Sequence, residues 1–449
     1  MDDAVGDDGA GIVTHGLMIA KRHQIDKSIT AQLMSKQNYT AGLVMNSVSS
    51  HNLQLGDARA VWPGLALDNS YARLPKVMYS PAEPEPLAEP ELLWFNAPLA
   101  SVLGLGGQPQ ELITAFASGH RVPFGARPIR RKVAQRPWGA PEPRHGATAE
   151  IALGEHIDRC FQRCDLSLQQ HEDSDHDPAG AELSVRNGLH QLLMGEVLNA
   201  MGVQAPRILA IAYDDAEGGL AQARASVIKT GESPLTIGAF EYAFRELGLA
   251  ELERLTDYAI ARIDPALINS DTPYTAFFER VCDKLAVTMA QWASVGFIHS
   301  KLDTHLTAID GGMSLTPYSG FMDNSDLDRI RHPSDATGRY AFSAQPIAAH
   351  WNLCRFANVL RPLTGPEGKG SASRIQGRLD GFFNRYEQHR IGYLQRPAVE
   401  PTRGTPRPRT LSATVEEVVE GDWSSIDRFL KAYGGQALAG DRDPSCKPY

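Results

Sequence analysis

Hydrophobic residues recur every three or four positions over residues 274–298, the spacing of an amphipathic helix. The apolar stripe consists of Phe277, Val281, Leu285, Met289 and Trp292. Residues 249–263 repeat the pattern, and residues 181–202 carry a third apolar face that ends at Gly202, a residue type common just after helix C-termini. The pattern therefore predicts three helices that pack their apolar faces into a core.

Shorter hydrophobic runs predict β-strands. Two such runs lie within residues 147–168, and residues 206–215 and 223–231 flank an acidic, glycine-containing turn, as expected for a β-hairpin. Residues 67–105 form a proline-rich extended segment that leads into a short helix, whereas residues 123–147 are basic, rich in Pro and Gly, and predicted to be a loop. Strands followed by helices favour a two-lobed α+β fold.

Composition excludes several classes of protein. The 449 residues are 42% hydrophobic and 22% charged, enough to bury a large core in one domain or in two packed ones. A formal net charge of −9 argues against nucleic-acid binding, which needs a basic surface. No apolar run in the sequence approaches the length of a membrane-spanning helix. We therefore expect no nucleic-acid partner and no membrane partner.

Cysteine usage and the first residues indicate a compartment. The five cysteines lack the spacing of a zinc site, and Cys282 lies on the apolar stripe of a predicted helix, which favours reduced thiols. The chain begins with acidic residues followed by a short apolar run, unlike a signal peptide. A cytoplasmic protein is expected.

Several short sequence words, in a fixed order, resemble those of one family. They include LDNSYARLP at 67–75, SGH at 118–120, IGAFEY at 237–242 and GFMD at 320–323. With these motifs the chain resembles the selenoprotein O family of kinase-like protein AMPylases. Several motifs in the family's order are more specific evidence than a single motif match. The resemblance implies an α+β, bilobal protein-kinase-like fold of the selenoprotein O type, with a shortened helical C-terminal region.

The implied organisation has four parts. Residues 1–64 are predicted to be an N-terminal extension, and residues 65–245 a β-rich region with a helix that resembles a kinase N-lobe. Residues 246–395 are predicted to form a helical region like a C-lobe, and residues 396–449 a linker followed by a C-terminal helix.

The resemblance also implies a site, most of whose residues are replaced. The family transfers AMP from ATP to protein hydroxyls and uses a Gly-rich loop, a Lys–Glu pair and two phosphate-binding arginines. The corresponding positions here hold Gly146 in the loop, Gln169 and Gln191 instead of the Lys and the Glu, and Lys229 and Thr236 instead of the arginines. Gly146 is predicted to support the site, and the other four residues to bind substrate.

The family's metal-binding residues are replaced as well. By resemblance, Leu306 stands at the position of a metal-binding Asn and Leu315 at that of a metal-binding Asp. Leucine offers no oxygen to Mg²⁺, a hard ion that demands oxygen ligands. We therefore expect ordinary AMPylation to be lost, with no metal site and no cofactor. Asp323, which matches the family, is predicted to orient the loop as a support residue.

The loop after the third predicted helix offers two candidate catalytic residues. Asp303 and His305 lie two positions apart where the family presents its base, and a histidine beside a carboxylate is a competent general base near neutral pH. The alternative is that His305 only caps the preceding helix or packs against Trp292. His299, which matches a family histidine, is predicted to be structural.

Residues 171–182 concentrate acidic side chains where the family is rich in Gly, Ser and Arg. Glu172, Asp173 and Asp175 are predicted to bind substrate in a cleft that attracts a cation such as a primary amine. The alternatives are a solvated acidic loop, as most charge runs are, or zinc binding through His171 and His176.

Three functional hypotheses follow. The favoured one is a small-molecule biosynthetic enzyme that acts on an amine or amino-acid-like substrate, for example in a ring-forming or substitution step. The second is a pseudokinase-like scaffold whose basic segment 127–136 docks an acidic partner or carrier protein. The third is a residual protein nucleotidyltransferase with relocated ligands.

Overall fold

The computed structural model describes residues 59–140, 142–171, 181–214, 219–231, 235–322, 326–395 and 417, all within the unit Gly56–Tyr449. Its main sheet is antiparallel, with strand order β2-β5-β7-β8-β10-β9-β3, and β6 pairs with β5. Its strands are β2 (Tyr79–Pro81), β3 (Pro90–Phe95), β5 (Ile129–Gln135), β6 (Arg144–Ala147), β7 (Ile151–Ile157), β8 (Arg163–Gln169), β9 (Arg207–Asp214) and β10 (Ala225–Gly231). Short two-stranded pairs are formed by β1 (Arg59–Ala60) with β4 (Val122–Pro123) and by β11 (Phe297–Ile298) with β12 (Gly320–Phe321).

Three of the helices, over Val185–Ala200, Leu249–Ile263 and Pro273–Val295, are those that the apolar spacing predicts. The α-helices of the described residues are α1 (Ala97–Leu103), α2 (Gln110–Ala117), α3 (Val185–Ala200), α4 (Ile237–Tyr242), α5 (Leu249–Ile263), α6 (Pro273–Val295), α7 (Gln345–Thr364), α8 (Lys369–Asp380) and α9 (Phe382–Leu394). All five stripe residues of α6 are buried, none more than 3% exposed. The α+β arrangement with a sheet first and helices afterwards is therefore confirmed.

The predicted hairpin is confirmed. β9 and β10 pair antiparallel, with Val227 opposite Ile211, and α3 packs its apolar face on them. The helix lies so close to the sheet that a Cβ on Gly195 would come within 2.4 Å of the Pro206 carbonyl oxygen. Only glycine fits this contact between helix and backbone.

The prediction of a loop over 123–147 is wrong. This segment contains β5 and β6, which pair with Lys132 opposite Ala147. Arginines and prolines conceal the period-two pattern, because Arg131 and Arg136 are buried charges while Ile129 and Val133 supply the apolar positions. The basic segment 127–136 is thus mainly a strand of the sheet, and its docking of an acidic partner stays a prediction.

Aromatic and ionic contacts hold the helices together and tie them to the sheet. In the helical core Phe240 and Phe356 pack edge to face, with ring centroids 5.1 Å apart. On α5, Arg262 pairs with Glu155 at 2.5 Å and also with Asp165, and both carboxylates belong to strands. Burial raises the pKa of Asp165 to about 7 despite the opposing field of the Arg262 guanidinium.

Two of the four predicted regions lie almost wholly outside the described residues. The N-terminal extension 1–64 overlaps them only from residue 59, and the C-terminal segment 396–449 only at residue 417. The boundary between 65–245 and 246–395 stays a prediction. Within the described part of the chain, none of the helices combines the length and the apolar character that a bilayer crossing requires.

Candidate functional site

A cavity of about 310 Å³ lies between the sheet and the loop that follows α6. The sheet side includes Arg131, Val133, Gln135, Thr148, Ala149, Glu150, Gln169 and Lys229, with Gln191 from α3 and Thr236 before α4. The loop side includes Lys301, His305, Leu306, Ala308, Gly312, Ser314, Leu315, Thr316, Pro317 and Tyr318, with His332 and Ser334. The volume lies in the range of small-ligand sites.

Lys229 lies in the sheet wall next to the position where a phosphate-binding lysine is missing. Its Nζ donates to Gln169 Oε1 at 3.2 Å and pairs with the Glu150 carboxylate. Burial raises the pKa of Glu150, but the Lys229 ammonium and a hydrogen bond from Ser167 outweigh it, so the net shift is downward and Glu150 is charged at neutral pH. A buried ammonium on β10 thus occupies the space beside Gln169 on β8.

The other predicted substrate-binding residues in the described part of the chain also line the cavity. Gln191 is 2% exposed, and its Oε1 has no hydrogen-bond partner. The Thr236 hydroxyl likewise has none. Buried polar atoms normally have partners, and both residues line the cavity, so their binding of a substrate stays a prediction. Glu172, Asp173 and Asp175 lie outside the described residues, and their role stays a prediction.

The two predicted catalytic residues separate in the structure. His305 lines the cavity, whereas Asp303 is 1% exposed and does not belong to the lining. Asp303 Oδ1 accepts a hydrogen bond from the Tyr340 hydroxyl, and Lys301 Nζ lies 3.8 Å from Asp303 Oδ2. The carboxylate raises the pKa of Tyr340 further above the value that burial alone gives. Asp303 thus binds Tyr340 outside the cavity lining, and the catalytic roles of Asp303 and His305 stay predictions.

His299, predicted to be structural, is fully buried. Its ring stacks on Trp292 with centroids 5.3 Å apart, and its Nε2 lies 2.8 Å from the Ser314 carbonyl oxygen. Burial lowers the pKa of His299 to about 4, so the ring is neutral at physiological pH. The contact with Trp292 considered for His305 thus belongs to His299.

A buried ion pair positions the loop that carries His305. Arg136 Nε donates to Glu241 Oε1 at 2.7 Å, both residues are fully buried, and Thr304 donates its hydroxyl to Glu241 Oε2 at 3.1 Å. At the start of α4, a Cβ on Gly238 would lie 2.5 Å from the Ala134 carbonyl oxygen and 2.8 Å from His305 Cα. The IGAFEY motif therefore supplies the residues that lock the loop against the sheet.

The support residues predicted from the family differ in their placement. Gly146 lies on β6 with ordinary space around it, since a Cβ there would meet only Gln135 Nε2 at 3.8 Å. Asp323 lies outside the described residues.

The described residues do not fit the divalent metal that the family resemblance implies. No group of three His, Cys, Asp or Glu side chains among them could hold a metal ion. Leu306 and Leu315 bring apolar side chains to the cavity at the two positions expected for metal ligands. Mg²⁺ requires oxygen ligands, and these two positions do not supply them.

The charge of the described lining is positive, which the sequence did not predict. Arg131, Lys229 and Lys301 are its basic side chains apart from histidine, and Glu150 is the one carboxylate among the described lining residues. The sequence did not identify Arg131, Glu150 and Lys301 as cavity residues, because they lie in separate segments that only the folded chain brings together. The alternation of Arg131, Val133 and Gln135 along one strand is the signal that could have identified Arg131.

An antiparallel sheet, a helical region and a charged cavity between them define a protein of the bilobal protein-kinase-like class. The family described as protein adenylyltransferase SelO matches residues 178–405. The protein nucleotidyltransferase YdiU of Alkalilimnicola ehrlichii is 33% identical over 337 residues, 74% of this chain and 67% of that protein. That of Cereibacter sphaeroides is 34% identical over 329 residues, 71% of this chain and 68% of that protein. The chain belongs to the SelO family.

One solved structure resembles this chain more weakly than the sequence relatives do. ROP2 from Toxoplasma gondii, described as a virulence factor with a protein-kinase fold and no enzymatic activity, aligns with a TM-score of 0.27 and 12% identity. The alignment covers 65% of this chain and 88% of that chain.

These relatives correct the favoured functional hypothesis. A small-molecule biosynthetic enzyme for amines is wrong as the main interpretation, because the matched relatives are named protein nucleotidyltransferases. The family description, protein adenylyltransferase, agrees with those names. The findings support the third hypothesis, nucleotidyl transfer.

Proposed function

We propose that this chain is a protein nucleotidyltransferase that binds a nucleoside triphosphate in the cavity between its lobes. The observation that carries the proposal is the buried Lys229, 4% exposed, which lies beside Gln169 in a lining where lysine and arginine outnumber carboxylates among the described residues. A cavity of this charge attracts a polyphosphate, not an amine. The names of the relatives supply the reaction class.

In the proposed reaction, a protein hydroxyl oxygen attacks the α-phosphorus of the bound nucleotide. The bond from this phosphorus to the bridging oxygen breaks, pyrophosphate leaves with the bonding electron pair, and the hydroxyl proton passes to the His305 imidazole. His305 suits this part because it lines the cavity and its backbone is held by Gly238 and the Arg136–Glu241 pair. Lys229 binds phosphate oxygens and positions the leaving group.

Two measurements on the full chain test the proposal. Calorimetric titration with ATP is expected to give a Kd in the micromolar range, and Lys229→Met is expected to raise this Kd at least tenfold.

Incubation with ATP labelled at the α-phosphate and a protein acceptor is expected to label the acceptor protein, whereas label at the γ-phosphate is not transferred. His305→Asn should slow labelling at least 100-fold with the ATP Kd changed less than threefold. No binding at millimolar ATP would contradict the proposal.

A second candidate is a nucleotide-binding protein that does not transfer. The specific observation in its favour is that Leu306 and Leu315 line the cavity where the family resemblance places metal ligands. Under this candidate ATP binds with the same dependence on Lys229, but no acceptor is labelled at any acceptor concentration or metal supplied. The labelling experiment separates the two candidates.

A further inference from the structure

Arg131 is a buried cation that the family's known phosphate ligands do not account for. It lies on β5, and with Val133 and Gln135 it lines the cavity from alternate positions of the strand. It is 4% exposed, and its Nε has no hydrogen-bond partner. Within the described parts of the chain its side chain forms no ion pair, although its field acts to lower the pKa of two carboxyl groups, Glu150 and Asp165, at longer range.

A buried guanidinium without a partner is costly for a folded protein. Desolvation of the charge is not offset unless hydrogen bonds or an opposite charge compensate it. Arg136, directly after β5, shows the usual solution, because its guanidinium binds the Glu241 carboxylate and the Ala140 carbonyl oxygen. The absence of such partners at Arg131 and its place in the cavity wall indicate that a ligand supplies them.

The chemistry of that ligand follows from the charge and shape of its neighbours. A planar guanidinium binds the oxygens of phosphate in a bidentate manner, and it keeps its charge at every physiological pH. Lys229 in the sheet wall and Lys301 in the loop wall present further positive charge to the same cavity. Three basic side chains against the one carboxylate, Glu150, leave the described lining with a net positive charge that can offset part of the charge of a triphosphate.

We propose that Arg131, together with Lys229 and Lys301, binds the triphosphate directly, so that nucleotide binding by this chain does not require a divalent metal. This inference rests on the proposed nucleotide site. It explains together the apolar Leu306 and Leu315 in the lining and the guanidinium that lacks a protein partner. Protein cations take over the charge compensation that the family assigns to a metal.

The test is calorimetric titration of the full chain with ATP, once in excess EDTA and once in excess Mg²⁺. We expect the Kd in EDTA to equal the Kd in Mg²⁺ within threefold or to be tighter, because Mg²⁺ removes negative charge from the ligand. In EDTA, Arg131→Met should weaken binding by 10- to 100-fold, the range for loss of charge-assisted hydrogen bonds. Lys132→Met is the matched control, since Lys132 lies on the same strand outside the cavity lining, and it should change the Kd less than twofold.

The outcomes separate this inference from the function on which it rests. Binding in Mg²⁺ that EDTA abolishes overturns the inference and leaves nucleotide binding intact. No binding in either buffer means that the nucleotide site itself is wrong. An unchanged Kd in Arg131→Met overturns the role of Arg131.

Stability decides whether the variant is a fair test. Loss of an uncompensated buried charge should leave the Tm of Arg131→Met equal to that of the parent or higher. If that variant fails to fold, Arg131→Lys replaces it, because it keeps the charge and loses the bidentate geometry. A three- to tenfold weakening in EDTA then supports the inference, and an unchanged Kd overturns it.

Discussion

Arg131 lies on β5 and Arg136 directly follows its last residue, and both are buried, yet their surroundings differ. Arg136 is fully buried in a network with Glu241 on α4 and the hydroxyl of Thr304. Arg131 is 4% exposed at the cavity wall and has no hydrogen bond on its Nε. The first charge is compensated within the fold and fixes the loop that carries His305. The charge of Arg131 has no such partner and is proposed to bind a ligand. The same residue type therefore stabilises the fold at Arg136 and serves the proposed binding site at Arg131.

The largest effect is expected where the compensated pair is broken. Glu241→Ala leaves Arg136 as a buried charge without its partner and should lower the free energy of unfolding by about 3–5 kcal/mol, measured by urea denaturation. Replacing both partners by methionine should recover most of this loss, since an apolar pair of similar volume can substitute for a buried ion pair. Arg131→Met, the matched change at the uncompensated arginine, should not destabilise the chain. Equal losses of unfolding free energy in Glu241→Ala and Arg131→Met would refute the distinction between the compensated and the uncompensated arginine.

The next effect concerns the contact that places His305. Gly238→Ala puts a Cβ within 2.5 Å of the Ala134 carbonyl oxygen and 2.8 Å of His305 Cα, so the loop must shift. We expect a loss of roughly 1–3 kcal/mol in unfolding free energy, typical of overpacking, together with a lower rate of acceptor labelling. Gly146→Ala is the control, because its Cβ would meet only Gln135 Nε2 at 3.8 Å. A Gly238→Ala protein with parental stability and labelling rate would show that this contact is not needed.

Acid should weaken the scaffold through His299. Its folded-state pKa of about 4 lies below the ordinary value of 6.5, so the unfolded chain binds more protons between these limits. Stability therefore rises with pH through this window and is lost as the pH falls from 6.5 towards 4. Between pH 4 and 6.5, one such histidine changes the unfolding equilibrium constant by at most about tenfold for each pH unit. His299→Gln should flatten the pH dependence of urea denaturation in this window, and an unchanged slope would assign the effect to other groups.

The smallest expected effect comes from changing the charge of the cavity lining. Glu150→Gln removes the carboxylate that pairs with Lys229 and frees the ammonium for phosphate. Because the lowered pKa of Glu150 keeps it charged at neutral pH, the substitution should tighten ATP binding by about threefold to tenfold in calorimetry at low salt. Glu142→Gln, an exposed carboxylate paired with Arg245, serves as the control and should leave the Kd unchanged. Weaker binding of ATP by Glu150→Gln would mean that Glu150 instead holds Lys229 in its productive position.

Much of the fold could be predicted from the sequence because its periodicity is local. The α6 stripe, the hairpin β9–β10 and the α3 helix each follow from apolar residues at regular spacing within one segment. The family membership was also visible, since the ordered words such as LDNSYARLP and IGAFEY need no coordinates. The strand β5 was missed because its arginines are charged, and local polarity does not reveal that a charge is buried.

The candidate site was predictable only in part. Gln169, Gln191, Lys229, Thr236 and His305 were found by position and do line the cavity. Asp303 was assigned to catalysis because it lies two positions from His305, but its carboxylate binds Tyr340, which is 37 residues further along the chain. The favoured amine chemistry rested on an acidic run, whereas the described lining draws its charge from strands and a loop far apart in sequence.

The sequence by itself determined the α+β class, three amphipathic helices and the hairpin, the family, and the loss of oxygen ligands at Leu306 and Leu315. Tertiary structure alone decided which buried charges have partners and which of them face a common space. The physical reason is that helical and strand periodicity is a property of neighbours in the chain. The energy of a buried charge depends instead on groups from distant segments, and for Arg131 and Arg136 only the packed fold shows the difference.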